Sequence, residues 1–173
     1  AWGVEGVEAE AELLSALVAT FRELGLTSED VMIKINSRKV LNSLMVSLDI
    51  AKELWPATCV LIDKLEKVPL SALTAELESI GLEQSKVEQL LAMLQKSSDL
   101  NELSQLLASG KEGKEPDGIQ ELQYLMTLLR SYGISEWVKF DASTIRGLSY
   151  YTGVVFEAVD RKGELRAICG GGR

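Results

Sequence analysis

The chain has 173 residues, with 18 Lys and Arg, 26 Asp and Glu and no His, which gives a formal net charge of −8. Without His, the chain alone cannot supply a Ser-His-Asp or Cys-His nucleophile, and its two Cys cannot complete a structural zinc site. Its composition, 46% hydrophobic and 25% charged, is typical of a globular protein, and the acidic balance argues against sequence-independent binding of nucleic acid.

The first part of the chain predicts one helix followed by one strand. Apolar residues recur at three- and four-residue steps over residues 6–24 and Gly25 follows them, which predicts a helix. Residues 30–36 alternate in polarity and are rich in β-branched side chains, which predicts a strand. No uncharged apolar run is long enough to cross a membrane and no signal peptide is visible, so we expect no membrane partner.

The middle of the chain, residues 37–133, has helical periodicity broken by turn residues. Helices are predicted near residues 38–54, 56–66, 69–80, 83–96, 99–109 and 116–132. Their leucine-rich faces are most simply core, and the alternative is a groove that binds a partner.

Strand patterns return after Gly133, near residues 136–141, 151–160 and 164–170. We therefore predict an α+β fold in which these strands and the first one form an antiparallel sheet with flanking helices, and an all-helical block is inserted between the strands. The predicted division is 1–44 for the first part of the sheet domain, 45–133 for the helical insertion and 134–173 for the remaining strands. Since the chain lacks an initial Met and stops in a Gly-rich run, we expect it to be a section of a longer protein.

The two cysteines, Cys59 and Cys169, lie far apart in the sequence. Two free thiols in a reducing compartment are the simplest interpretation, and one disulfide is the alternative.

The segment 146–153 is the richest in chemical groups, since it places an Arg, two Tyr and two Gly at the entry of a predicted strand. A guanidinium at Arg146 could hold a phosphate bidentately, and a Tyr ring could pack on a flat ring and hydrogen-bond to it. If Tyr150 and Tyr151 lie on a strand, at most one of them can face a given pocket. The alternative is that both Tyr are packing residues and Arg146 lies on the surface.

These residues carry a resemblance to the histidyl-tRNA synthetase family. Residues 146–157, Arg-Gly-Leu-Ser-Tyr-Tyr-Thr-Gly-Val-Val-Phe-Glu, resemble its first histidine-specific motif, and residues 169–173, Cys-Gly-Gly-Gly-Arg, resemble the start of its second. Residues 7–14 resemble the helix after the second class II signature motif, and residues 61–67 resemble a signature of the helical insertion. The resemblance covers essentially the whole chain and implies part of a class II synthetase catalytic domain.

The resemblance implies a reaction in two steps, in which L-histidine and ATP form histidyl-adenylate with Mg²⁺ and the histidyl group then passes to the 3′ end of histidine tRNA. It implies that Arg146 contacts the α-phosphate of ATP and the histidine carboxylate, and that Tyr151 hydrogen-bonds to the imidazole while Tyr150 lines the same site. Gly171 and Gly172 would form a closely packed wall of this site, and Arg173 follows them.

The resemblance also implies what this chain lacks. Ser149 stands where the family commonly has Asp. The ATP-clamping Arg, the carboxylates for the amino group, most Mg²⁺ ligands and the anticodon-binding domain would lie outside this chain, so we expect the isolated section to be inactive. The full-length enzyme would be a homodimer in the cytoplasm or an organellar matrix or stroma.

Two alternatives remain open. One is a catalytically silent relative on the same fold, such as the regulatory subunit of ATP phosphoribosyltransferase or a synthetase-like regulatory region of a stress kinase. The other is a helical interaction module with a small sheet. Within the synthetase interpretation, the helical block either packs on the catalytic domain or reaches tRNA through its lysines, which are Lys64, Lys67, Lys86, Lys96, Lys111 and Lys114.

Overall fold

The computed structural model describes residues 3–65, 67–96, 99–108, 117–146, 150–164 and 167–173. Within these ranges the elements follow one another along the chain as α1 (Glu8–Glu23), β1 (Val31–Ser37), α2 (Arg38–Ser47), α3 (Trp55–Ile62), α4 (Leu70–Ser79), α5 (Gln84–Lys96), α6 (Leu100–Ala108), α7 (Asp117–Ser131), β2 (Val138–Phe140), β3 (Val154–Asp160) and β4 (Cys169–Gly172). The predicted α+β fold class is confirmed.

The predicted helix over residues 38–54 is shorter in the structure. The helix α2 ends at Ser47, and a separate 3₁₀ turn spans Lys52–Leu54. Asp49 interrupts the helical path because its backbone is left-handed, with φ of 52°, a conformation that Asp tolerates better than most residues. Among the described residues, none of the helices combines the length and apolar composition needed to cross a bilayer.

The four strands form one sheet in the order β2-β1-β3-β4. β1 pairs antiparallel with β3 along its whole length, from Val31 opposite Asp160 to Ser37 opposite Val154, and β3 pairs antiparallel with β4. The prediction that all strands are antiparallel was wrong for β2, which pairs parallel with β1. The helical block between β1 and β2 is the long crossover that a parallel connection needs.

The last two strands begin later than predicted. β3 starts at Val154 and β4 at Cys169. Thr152 is already held outside the strand, because its backbone N–H donates to the Arg173 carbonyl at 2.8 Å. After β3, the Asp160 carboxylate accepts the N–H groups of Lys162 and Glu164 at 3.0 Å each, which keeps these residues in a turn.

The sheet has one apolar face and one polar face. Ile33 and Ile35 of β1 and Phe156 and Ala158 of β3 lie buried on the same face. On this side α7 packs on β1 and on α1, and Phe21 of α1 stacks on Trp137 with ring centroids 6.2 Å apart. Successive residues of a strand alternate between faces, so the opposite face, called the polar face, carries Lys34, Asn36 and Glu157 beside the apolar Met32, Val155 and Val159.

The leucine faces of the helical block are mainly core, as the simpler interpretation predicted. Leu90, Leu94 and Leu103 are buried, whereas Leu106 is half-exposed. α2 contacts α6 and α7, and α4 contacts α3 and α5. The division at 1–44, 45–133 and 134–173 stays a prediction. In the structure, α2 runs across the first boundary, and α7 of the helical block packs on the sheet.

Gly118, near the start of α7, marks a close approach to α2. A Cβ at this position would lie 2.7 Å from Lys39 Cβ and 2.9 Å from the backbone N of Val40.

Ala usually stabilises a helix relative to Gly, but Gly118→Ala must push two helices apart. We expect it to lower the free energy of unfolding by about 1–3 kcal/mol in urea titrations. Thr127→Ala, on the exposed side of α7, is the control and should change it by about 0.5 kcal/mol or less. An unchanged or more stable Gly118→Ala variant would contradict this packing.

Candidate active site

The polar face of the sheet is where the predicted site residues meet. Lys34 and Asn36 of β1 and Glu157 of β3 project from this face, and Lys34 and Glu157 are directly paired across the two strands. Gly170 and Gly172 of β4 belong to the same face and carry no side chain. Side chains that arrive from the loop before β3 can therefore lie directly on the backbone of β4.

Arg146 is one of these side chains. Its Nη1 donates to the Glu157 carboxylate, and both side chains are about three-quarters buried, with 25% and 23% of their surface exposed. A Cβ at Gly170 would lie 2.8 Å from the Arg146 Cζ, so the guanidinium lies against bare backbone. Arg146 Nε is buried and has no hydrogen-bond partner among the described residues. Since a guanidinium has five N–H donors, the ion pair leaves it with capacity for a ligand.

The backbone of Arg146 is held in an uncommon conformation. Its φ is 58°, in the left-handed region that costs a residue with a side chain about 1 kcal/mol or more. The buried Arg38 donates from Nη2 to the Arg146 carbonyl at 3.0 Å and from its backbone N–H to the Gly153 carbonyl at 2.9 Å. Arg38 therefore ties both ends of the predicted motif to the start of α2.

Tyr150 and Tyr151 lie side by side at the end of this loop. Their ring centroids are 4.7 Å apart, and Tyr150 is 67% exposed whereas Tyr151 is half-buried. A hydrogen bond with the Tyr151 side chain raises the pKa of Tyr150. The expected alternation between opposite faces does not apply, because both residues precede β3. The residues between Arg146 and Tyr150, which include Ser149, lie outside the described part of the chain.

The glycines of β4 divide between the two faces. A Cβ at Gly172 would lie 2.9 Å from Tyr151 Cδ1, whereas a Cβ at Gly171 would lie 3.0 Å from the Phe156 ring on the apolar face. The structure thus brings Gly172 to Tyr151 but does not bring Gly171 to Arg146. Gly170 was missed in the sequence, although the period of two along β4 places it on the same face as Gly172. Gly170 and Gly172 lie about 7 Å apart along β4, with the Arg146 guanidinium against the first and the Tyr151 ring against the second.

A cleft of 240 Å³ opens beside Tyr151, between the end of the motif and helices α2 and α3. Its lining combines apolar rings with polar groups: Arg38, Asn42, Trp55, Pro56, Cys59, Val60, Tyr151 and Thr152. The Trp55 side chain is fixed because its Nε1 donates to the Ile50 carbonyl at 3.0 Å. The cleft gives a flat, partly polar ring access to Tyr151.

Neither cysteine is prepared as a nucleophile. Cys59 and Cys169 are free thiols, as the simpler interpretation predicted. Burial raises the pKa of both thiols. The charge of Arg38 lowers the pKa of Cys59 and that of Arg146 lowers the pKa of Cys169, but burial has the larger effect, so both thiols are protonated at neutral pH. Among the described residues, no group of three or more His, Cys, Asp or Glu side chains is arranged to hold a metal ion.

Asp141 forms a second polar cluster on the same face. Its carboxylate accepts the backbone N–H of Ser143 at 2.9 Å and the Ser143 hydroxyl at 2.6 Å, and it pairs with Lys34 at 3.1 Å. Burial favours the neutral acid, but these hydrogen bonds and the Lys34 charge outweigh it and hold the pKa of Asp141 below its ordinary value. The cluster joins β1 to the segment that leads into Arg146.

The lowered pKa of Asp141 gives a pH dependence with a definite sign. Its stabilisation is fully present above the unfolded-state pKa of about 3.9 and is lost as the pH falls through the lower folded-state pKa. At pH 7 we expect Asp141→Asn to lower the free energy of unfolding by about 1–2 kcal/mol, and the difference from wild type should shrink below about pH 4. Asp63→Asn, which breaks the exposed pair with Lys67, is the control and should cost about 0.5 kcal/mol. A difference that persists unchanged into acid would contradict the ionised pairing.

Arg173 occupies a different place from the predicted wall of the site. Its Nε and Nη2 bind both oxygens of the buried Glu10 carboxylate, and the remaining donors bind the carbonyls of Val4, Glu5 and Gly6 at 2.7–3.1 Å. Its aliphatic stem lies against Gly153. Arg173 thus fastens the end of β4 to the segment before α1 and to the start of that helix. The sequence offered no pattern for this contact, since 163 residues separate the two partners.

Breaking the Arg173–Glu10 pair should be costly because it leaves a charge buried without a partner. We expect Arg173→Ala to lower the free energy of unfolding by about 3 kcal/mol. Arg173→Lys should recover little, since an ammonium lacks the planar fork. Adding Glu10→Ala to Arg173→Ala should cost less than the sum of the single changes. Arg161→Ala, whose guanidinium is exposed and binds one carbonyl, is the control, and additive costs at positions 10 and 173 would contradict the pair.

Three comparisons with known proteins agree on the family. The family model described as histidyl-tRNA synthetase matches residues 1–173. The chain is 45% identical over 171 residues to the chloroplastic/mitochondrial histidine–tRNA ligase of Arabidopsis thaliana, and 35% identical over 173 residues to that of Thermoplasma volcanium. These alignments cover 99% of this chain but only 34% and 39% of the relatives' length.

Solved structures give the same result for the fold. The histidyl-tRNA synthetase of Nostoc sp. PCC 7120 superposes with a TM-score of 0.84 at 28% identity, over 98% of this chain and 40% of that one. A Bacillus halodurans protein described as an ATP phosphoribosyltransferase regulatory subunit/histidyl-tRNA synthetase superposes with a TM-score of 0.77 at 23% identity, over 98% and 43%, and this likeness shows the fold alone. Since the family model matches the whole chain and Arg146, Tyr151, Gly170 and Gly172 meet on one face of this sheet, the chain belongs to the histidyl-tRNA synthetase family.

Proposed function

We propose that the full-length protein containing this chain is an aminoacyl-tRNA ligase that activates L-histidine with ATP and transfers it to histidine tRNA. The observation that carries the proposal is the placement of Arg146 and Tyr151 on the bare backbone of Gly170 and Gly172, about 7 Å apart on one face of the sheet. This separation is comparable with the length of one amino-acid molecule. A carboxylate could bind at one end and a polar ring at the other.

Arg146 would stabilise the charge that develops when the amino-acid carboxylate attacks the α-phosphate of ATP. The new bond joins a carboxylate oxygen to the α-phosphorus, and pyrophosphate leaves with the electrons of the broken P–O bond. A positioned cation helps most if it is already oriented before the reaction, because no reorganisation is then needed as charge grows. The ion pair with Glu157 and the unsatisfied Nε are consistent with such a group.

Tyr151 would select the side chain of the substrate. Its ring is held against Gly172 and borders the 240 Å³ cleft, so its hydroxyl can pair with an imidazole nitrogen. A substrate without a hydrogen-bonding ring would leave that hydroxyl with only its contact to Tyr150, and such incomplete pairing of a polar group is a physical basis of discrimination. Tyr150 would line the entrance, in keeping with its exposure, and Gly172 would form the wall behind the ring.

The reaction would use Mg²⁺ to neutralise the phosphates of ATP, and the residues described in this chain do not suit that ion. No group of three or more carboxylate or sulfur ligands is present among them. We therefore assign no step of the chemistry in this chain to a metal, and propose that Mg²⁺ and most of the ATP contacts belong to parts of the longer protein beyond this chain. The isolated section would be inactive for the same reason.

The remaining partners follow from the same proposal. The relatives are tRNA ligases by description, and one is chloroplastic/mitochondrial, which supports histidine tRNA as a partner. We propose a homodimeric enzyme in the cytoplasm or an organellar matrix or stroma. A tRNA surface on the helical block has less support. Lys64 pairs with Glu76, Lys67 pairs with Asp63, and Lys86 donates to the Asp49 carbonyl, while the other three lysine side chains lie outside the described part.

The experiment that tests the function is ATP–pyrophosphate exchange driven by L-histidine in the full-length protein. We expect Arg146→Ala to reduce kcat by about 100- to 1000-fold, because it removes a preorganised charge. Tyr151→Phe should raise KM for histidine and weaken discrimination against other amino acids, with a smaller effect on kcat.

Two controls make the exchange result specific. Lys64→Ala, in the exposed pair with Glu76, should leave exchange unchanged. Full exchange by Arg146→Ala would contradict the assignment of that residue. An absence of histidine-dependent exchange in the wild-type full-length protein would favour the catalytically silent alternative instead.

A further inference from the structure

We infer that Glu157 is a positioning residue for the reaction, acting through Arg146 and not by contact with the substrate. The inference rests on the proposed function, in which Arg146 contacts the reacting groups. It begins from the ion pair between the Arg146 guanidinium and the Glu157 carboxylate.

The Glu157 carboxylate is the one side chain to which the Arg146 guanidinium donates a hydrogen bond among the described residues. The backbone of Arg146 is itself in the left-handed region, with φ of 58°. On one side the guanidinium meets Gly170, where the absence of a Cβ removes any side-chain wall. Bare backbone permits several directions for a long side chain, so a fixed counter-ion is needed to select one of them.

Glu157 is itself well fixed, which makes it suited to this task. It lies inside β3, between β1 and β4, and is paired with Lys34 on one side and Gly170 on the other. Lys34 is a possible competitor for its carboxylate, but its Nζ pairs with Asp141 at 3.1 Å. The polar face thus carries two neighbouring ion pairs, and each cation has its own carboxylate.

The partial burial of the pair strengthens the orienting effect. Because about three-quarters of each side chain is buried, solvent screens the pair less than it would screen a surface ion pair. The carboxylate takes only some of the five guanidinium donors. Arg146 can therefore keep its contact with Glu157 while its remaining donors approach a carboxylate or phosphate of the substrate.

The test compares Glu157→Ala and Glu157→Gln with wild type in histidine-dependent ATP–pyrophosphate exchange by the full-length protein. A catalytic cation that is displaced by about 1 Å can cost about 100-fold, so we expect Glu157→Ala to lower kcat by about that factor. KM for histidine and ATP should change by less than about 3-fold. Glu157→Gln retains an acceptor oxygen and should recover part of the loss, to about 10-fold below wild type.

A double variant separates positioning from an independent role. If Glu157 acts only through Arg146, then Arg146→Ala combined with Glu157→Ala should be no slower than Arg146→Ala alone. Multiplied losses would overturn the inference, as would full activity of Glu157→Ala. Glu76→Ala, which removes a carboxylate from an exposed pair in the helical block, is the matched control and should exchange at the wild-type rate.

A structural measurement keeps the inference separate from the proposed function. Crystal structures of the full-length protein and its Glu157→Ala variant should show the Arg146 guanidinium in different directions, and thermal unfolding of the variant should establish that it is folded. An unchanged guanidinium would overturn the positioning role whether or not the wild type activates histidine. Failure of wild-type exchange with a displaced guanidinium would instead count against the proposed function alone.

Discussion

The pairing of β1 with β3 is the constraint on which the rest of the structure depends. These strands match along seven residues although the whole helical block and β2 lie between them in the sequence. The register decides which side chains meet, because a slip by one residue would exchange the two faces. With this register, Ile33 and Ile35 enter the core while Lys34 and Asn36 join Glu157 on the polar face. The chain leaves the sheet after Ser37 and can return to it because α7, the last helix of the helical block, packs on β1.

Much of this architecture could be predicted from local sequence pattern, since helices such as α4 and α7 bury leucines at helical spacing and β1 alternates in burial from Val31 to Ile35. The failures have a common physical origin in contacts between distant parts of the chain. The parallel direction of β2 depends on where α7 ends, which no property of residues 138–140 encodes. The start of β3 was misplaced because residues 151–153 have strand-like composition, yet Thr152 is held by the Arg173 carbonyl.

The candidate site shows the same division between local and distant information. Arg146, Tyr151 and Gly172 were predictable because their motifs are contiguous in sequence. Gly170 could have been found from the period of two along β4, since it shares a face with Gly172. Glu157 was visible only as the last residue of the motif, and no local pattern predicts its contact with Arg146, which lies 11 residues before it. The role of Arg173 could not be predicted, because its partners lie at the other end of the chain.

The pairing of Arg146 with Glu157 raises the question of why a cation that we propose to bind an anionic substrate should have a counter-ion at all. A guanidinium three-quarters buried without a partner would be expensive to desolvate and free to take several orientations. With the carboxylate, the isolated pair is close to neutral, and it attracts a ground-state anion less strongly than a bare cation would. An anion that gains charge as bonds change benefits more from the oriented donors than its precursor does. In the proposed role, the counter-ion would lower the attraction of Arg146 for any anion, and its contribution would be orientation, because donors already in place need no reorganisation as charge grows.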